Sequence, residues 1–396
     1  MSRKQLLVGG GIILALAAHV GWWYWPRERA GRIEEGSLTA SILTASDLPY
    51  RAWVAYPHQN LGALDGFRRR SRSVARLAEV PMPELPSFGP LTTPPAVDLV
   101  VASSRDASRL VVAARVFPTV AFLARWAGRL AGNPWLAGGA VGEGARRTEI
   151  AWHGSTWTVA RGAALPPAGG PSGRQPGEPL LAAVASAEPS GPLPAGLYRL
   201  RRRGKILELA TVGGEVLETP AFLAIERRPL VILERSAEVV DALALLDTPA
   251  GAGLPRWAVV HRGRGRRRSI PGEGLYEILG REPLQERRGG ARLAATDLSA
   301  LEDAASLAAS LEGAGESLGK LRFVAAGDLV EAADALGPLV EQLARLPLEE
   351  TRRWGALLAA ARSLGDWSEV SVLVGAGDGG PAVVRLARGA SGPTRD

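Results

Sequence analysis

The chain has 396 residues, 46% of them hydrophobic, which is enough apolar material for several packed cores and excludes a disordered stalk. It contains no cysteine, so disulfides, thiol catalysis and Cys-ligated zinc or iron–sulfur sites are excluded. The net charge is +7, but only Lys4, Lys205 and Lys320 among the 47 basic residues are lysines. With the abundant alanine and glycine, that arginine bias points to a GC-rich bacterial genome, and basic clusters are discounted accordingly as signs of an anionic partner.

The first element in chain order is Leu6 to Trp25, an apolar stretch free of Asp, Glu, Lys and Arg. A helix of that length would span about 30 Å of hydrocarbon. Its Leu, Ile and Val residues favour insertion by about 2–5 kcal/mol. Trp22 to Trp25 would form an interfacial belt and Pro26 would stop the helix. The competing reading is a cleaved signal peptide, with Ala15-Leu16-Ala17 as the cleavage site. The sequence therefore predicts a single-pass protein of the bacterial inner membrane, N-terminus cytoplasmic and body extracytoplasmic. Basic residues on both flanks leave the reverse orientation open. Gly11 with Ala15, and Ala17 with Gly21, form two small-xxx-small pairs that would allow helix pairing and a homo-oligomer.

Residues 27–46 read as a polar link, and the first α+β region follows over 47–165. It has a strand at Arg51–Tyr56, a helical pattern at Leu61–Glu79 and a proline-rich loop over 81–95. A hairpin at Val97–Ala102 and Leu110–Phe117 comes next, then a helix over Phe117–Leu130 and strands at Arg147–Trp152 and Thr156–Ala160. Residues 166–253 read as a linker and β-rich middle module. Its strands are Leu180–Ala185, Gly196–Arg201, Lys205–Val212 and Pro229–Glu234, with a helix over Ala237–Leu246 begun by Ser236. A second α+β region spans 254–390, with helices at Asp328–Leu346 and Glu349–Leu364 and a closing hairpin, Glu369–Val374 and Ala382–Ala387.

The two α+β regions align. Leu254-Pro255 parallels Leu48-Pro49, and Ala102–Phe117 aligns without gaps to Ala309–Val324, each read as a polar turn, a strand and a long helix. Two matches at nearly one offset predict an internal duplication. The expected fold class is thus α+β: a transmembrane helix, then two similar mixed repeats with antiparallel hairpins around a β-rich module. An anchor, a Leu-Pro opening and two α+β repeats resemble, in layout, a class of uncharacterised bacterial membrane-anchored envelope proteins. The resemblance implies an envelope location and carries over no functional residue.

Chemical motifs are sparse. Gly375 to Gly380 fits G-x-G-x-x-G, but Pro381 and a strand-like run follow where a dinucleotide site needs a helix, so a hairpin turn is expected. Ser317-Leu318-Gly319-Lys320 fits S-x-x-K without its partner motifs. His19, His58, His153 and His261 are far apart in sequence; His58 and His261 close the two first strands. No catalytic residue, cofactor site or metal site is assigned.

The remaining candidates are basic clusters. Arg68, Arg69, Arg70 and Arg72, and Arg262, Arg264, Arg266, Arg267 and Arg268, would contact an anionic ligand or lipid; Arg201–Arg203 with Lys205 form a third group. The leading expectation is a non-catalytic binding or scaffold protein of the cell envelope, with a protein partner or anionic lipid. The alternatives are an enzyme acting on an envelope polymer or lipid through carboxylates, and a membrane-tethered polyanion binder. Nucleic acid is disfavoured for a body outside the cytoplasm.

Overall fold

The computed structural model describes residues 29–60, 96–106, 108–144, 147–166, 178–188, 193–212, 217–218, 220, 230–236, 239–247, 255–263, 283–335, 369–377 and 380–387. They form seventeen strands and six helices. The described residues fall into two compact units. One comprises those up to Ala187 with Arg199–Arg201, the other Glu188–Tyr198 and those from Arg202 onward. Strand β8 (Gly196–Arg203) straddles the division along the chain.

The first unit is built on β1 (Tyr50–Ala55), β2 (Ala96–Ser103), β3 (Leu110–Val116), β4 (Gly139–Val141), β5 (Thr148–His153), β6 (Thr156–Arg161) and β7 (Ala182–Ser186). Their order is β4-β5-β6-β3-β2-β1-β7, every pairing antiparallel. The β2–β3 turn is fixed by Asp106, whose carboxylate accepts from the Ser104 hydroxyl at 2.6 Å and the Ser108 amide at 3.1 Å. Both sheet faces are covered, so β2 and β3 are apolar on both sides. Helix α1 (Leu38–Ala45) packs across β1, β2 and β3, and its Ile42 and Leu43 are fully buried, as is Trp53 of β1. A second cluster joins Leu99, Val112, Ala114, Val116, Ile150 and Val159 to Ala121 of helix α2 (Pro118–Leu130). Helix α3 (Pro134–Ala137) follows directly.

The second unit contains β9 (Ile206–Thr211), β10 (Leu230–Arg235), β11 (Val239–Asp247), β12 (Arg256–Gly263), β13 (Leu284–Arg288), β14 (Ala291–Ala295), β15 (Leu321–Asp328), β16 (Glu369–Gly375) and β17 (Ala382–Ala387). Their order is β13-β14-β12-β11-β10-β15-β16-β17-β9, again all antiparallel. Helix α4 (Leu298–Gly313) lies on β12 and β14. It is begun by Asp297, which accepts from the Ala300 amide at 2.8 Å. Short helices α5 (Gly315–Gly319) and α6 (Leu329–Ala335) flank β15.

The structure corrects the expected fold class: this is a predominantly antiparallel β protein with few helices, and the regions expected to be repeats differ. In the gapless alignment, residues 104–106 and 108–109 belong to a hairpin turn, whereas their counterparts, residues 311–313 and 315–316, are the end of α4 and the start of α5. β1 pairs with the later strands β2 and β7, whereas β12 pairs with the preceding β11 and with β14. The alignment matched composition rather than structure, because short Ala/Leu/Arg strings fit helix and strand alike. The same ambiguity misled the reading of Ala237–Leu246, whose described residues, from Val239 on, belong to β11. Its Ala242 and Ala244 are fully buried, and pairing with β10 and β12 overrides the helical preference of Ala and Leu.

The membrane expectation is corrected as well. Among the described residues no helix is long and apolar enough to cross a membrane. The longest, α4, has 16 residues and carries Glu302, Asp303 and Glu312. At about 1.5 Å per residue it falls short of the roughly 30 Å of a bilayer core. The described residues therefore supply no spanning helix for the expected single-pass inner-membrane protein. Leu6–Trp25 itself, with Gly11, Ala15, Ala17 and Gly21, lies outside the described residues.

Candidate functional site

Helix α2 is packed in an unusual sense. Its buried side carries mostly small residues: Ala121 packs on the sheet cluster with Val120 beside it, Gly128 is buried against α3, and Ala124 is half-buried. Its large apolar residues point outward. Phe122 is 64% exposed, Trp126 58% and Leu130 69%, with Leu123 beside them at 56%. Successive helical residues are about 100° apart, so Phe122, Trp126 and Leu130 form one stripe along the helix, roughly 12 Å long. Trp135 and Leu136 of α3 are also exposed and extend the apolar surface.

Local chemistry holds this surface rigid. A Cβ on Gly128 would come within 2.5 Å of the Ala137 amide nitrogen, so only glycine lets α3 lie this close to α2. The Asn133 side chain caps α3 by accepting from the Trp135 amide at 2.9 Å. Two sheet tryptophans fix α3 from below. The Trp152 indole donates to the Leu136 carbonyl at 2.8 Å, and the Trp157 indole to the Trp135 carbonyl at 2.9 Å. The Arg125 guanidinium lies 5.8 Å from the centre of the Trp152 ring, within cation–π range. From Ala107 to Gly142 the sequence contains no acidic residue, and Arg125 and Arg129 are the only charged groups on α2 and α3.

The titratable groups of the first unit sit elsewhere. Asp98 is only 1% exposed, beneath α1. Its carboxylate accepts from the Arg115 guanidinium at 2.8 Å, and Arg115 also pairs with Glu34. Burial pushes the Asp98 carboxyl up to about 7, while the Trp53 indole and the Thr39 hydroxyl pull it the other way. The network fastens the segment leading into α1 to the sheet. His58 is buried, and desolvation pulls its imidazole down to about 4, with nearby Arg29 acting in the same direction. In the second unit His261 and Asp241 face each other across β11 and β12, with Nδ1 2.5 Å from the carboxylate. Among the described residues no group of three His, Asp or Glu is arranged to hold a metal ion.

The sequence-derived candidates fare differently. Arg262 is on β12 and pairs with Glu312 of α4 at 2.9 Å, both side chains remaining partly exposed. Arg68, Arg69, Arg70, Arg72, Arg264, Arg266, Arg267 and Arg268 lie outside the described residues. Arg201 pairs with Glu178 at 2.7 Å, and Arg202 donates to the Gly204 carbonyl at 2.9 Å. The Gly375–Gly380 run is the β16–β17 hairpin: the Gly375 amide donates to the Pro381 carbonyl at 2.7 Å, and Gly377 has φ +89°. Helix α2 was legible in the sequence, but its outward stripe was not read. The available signal was apolar residues around most of the helix, with the small ones gathered on one side.

No family model matches the chain, and no curated protein matches it. Among solved structures, the chain titled "Structure of crystal form I of TP0453" is aligned over 71% of this chain and 98% of its own, at 9% identity and a TM-score of 0.20. A superposition that loose carries no argument about fold or function.

Proposed function

We propose that this chain is a non-catalytic binding protein that docks another protein through the α2–α3 surface. The observation that carries the reading is the stripe of Phe122, Trp126 and Leu130, turned to solvent while the same helix buries alanine and glycine. Fully burying a large apolar side chain is worth about 1.5–3 kcal/mol, so leaving a contiguous set exposed forgoes stability that a partner would supply. Phe, Trp and Arg are also the side chains that concentrate binding energy in protein interfaces. The rigid mounting of α3 supports the reading, because a surface fixed before contact loses less entropy on binding.

The test replaces Leu123 with a photocrosslinking amino acid in the full-length chain in its host cells, with a second crosslinker at exposed Leu298 of α4 as the control. A discrete protein should be captured from position 123 alone. Once purified, it should bind the native chain and lose at least tenfold in affinity to Trp126→Ser. If no crosslink exceeds the control, or affinity is indifferent to Trp126, the α2–α3 surface is not a docking site.

A further inference from the structure

Building on that docking reading, we infer that the segment received by the α2–α3 surface is an amphipathic helix with acidic residues beside its apolar face. Two features of the surface select it. The first is geometry. Phe122, Trp126 and Leu130 recur every four residues along a straight ridge, the spacing at which a second helix presents its own apolar residues. An extended strand would instead need a free sheet edge. The edge strand β4 offers only Gly139–Val141, beginning at a glycine with φ +153° and preceded by Gly138 at +93°, which is too short a ladder for strand addition.

The second feature is charge. On a helical projection Arg129 and Arg125 fall about 20° and 60° from Phe122 on one side, while Trp126 and Leu130 fall about 40° and 80° on the other. The two arginines therefore border one edge of the stripe, and no carboxylate occurs between Ala107 and Gly142 to balance them. A second copy of this chain would bring arginine against arginine when packed antiparallel, and arginine against the Leu130 edge when packed parallel, and neither supplies a carboxylate from α2 or α3. A bilayer surface would need more cations than these: α2 carries two, one of them drawn toward the Trp152 ring. A helix carrying Asp or Glu along one border meets both the apolar stripe and its basic edge.

The experiment selects a phage-displayed library of random 18-residue peptides on the immobilised full-length chain. Peptides retained by a Phe122→Ser/Trp126→Ser/Leu130→Ser variant are removed. Enriched sequences should carry apolar residues at i, i+4 and i+7 or i+8 with Asp or Glu alongside. A synthetic peptide from the enriched set should bind about tenfold more tightly than its Asp/Glu→Lys counterpart at low salt, with the gap narrowing as salt rises. Arg129→Glu should reverse that preference. Stripe-dependent peptides without acidic residues, or with extended apolar alternation, would overturn this inference and leave the docking reading standing. No stripe-dependent peptide, together with Trp126-dependent adsorption to phosphatidylglycerol vesicles or Trp126-dependent dimerisation in sedimentation, would overturn both.

Discussion

Helix α4 lies along β12 and β14, whereas helix α2 meets its sheet chiefly at Ala121 and rests on α3, and the two use their large side chains in opposite ways. Helix α4 buries Leu301, Leu307 and Leu311 with Ala300 and Ala304, and leaves little apolar surface outside beyond Leu298. Helix α2 buries Ala121 and Gly128 and shows Phe122, Trp126 and Leu130 to solvent. The difference lies in what lies beneath them. Under α2, Val112, Ala114, Val116, Ile150 and Val159 already fill the cluster that Ala121 closes, whereas in the second unit Leu301, Leu307 and Leu311 are themselves core members. One helix is part of its core; the other is a lid that displays a surface.

Truncating the large residues of each helix gives the widest separation. Leu307, 1% exposed within the second unit's core, should cost about 2–5 kcal/mol on replacement by Ala. Trp126→Ala should change stability by no more than about 0.5 kcal/mol. Urea unfolding of both variants decides the matter, and a comparable loss at Trp126 would mean that the stripe is structural.

Glycine substitution gives the next largest difference. Gly128→Ala places a methyl within 2.5 Å of the Ala137 backbone and should cost about 1–3 kcal/mol. Gly313→Ala, at the end of α4, meets nothing within 4 Å and should be neutral or stabilising by up to about 1 kcal/mol. Equal effects at the two positions would show that α3 is not held against α2.

The helix starts separate the pair further. Asp297 caps α4 and is held below the usual carboxylate range chiefly by Arg256, whose Nε lies 3.0 Å away. Asp297→Ala should cost about 1 kcal/mol. Helix α2 begins at Phe117 and Pro118 without a side-chain cap, so Thr119→Ala should leave thermal stability unchanged.

A further difference is one of pH slope. The folded value of Asp98 is raised, so its contribution weakens as pH climbs from the ordinary carboxylate value toward about 7 and is most unfavourable above that. Asp297 is depressed, so its stabilisation is complete above the ordinary carboxylate value and is lost as pH falls through its folded value. Asp98→Asn should therefore compare better with the native chain at pH 8 than at pH 5. An identical difference at both pH values would mean that Asp98 does not change protonation between them.

Much of the local structure could be read from the chain. The β2–β3 hairpin, helix α2, the β5–β6 pair and the β16–β17 hairpin all announce themselves through alternation, turn residues and helical spacing. Helix α1 escaped, since LTASILTA sits in a stretch that read as a link and is short. β11 read as a helix because its Ala and Leu residues suit either state. The basic clusters drew attention through composition, and the described member of the leading pair, Arg262, pairs with Glu312 of α4 while staying partly exposed.

By itself the sequence determined the absence of thiol chemistry, the positions of most strands and one long helix, and an unbroken run from Ala107 to Gly142 without acid. Those follow from side-chain identity and from periodicities of two and about 3.6 residues, which are local properties. Only the tertiary structure decided which side of α2 meets the sheet, that β11 is a strand, and that two similar strings adopt different folds. Each of those outcomes depends on neighbours distant in sequence: a cluster already filled beneath α2, two flanking strands with unpaired backbone groups, and an α3 that fits only against a glycine.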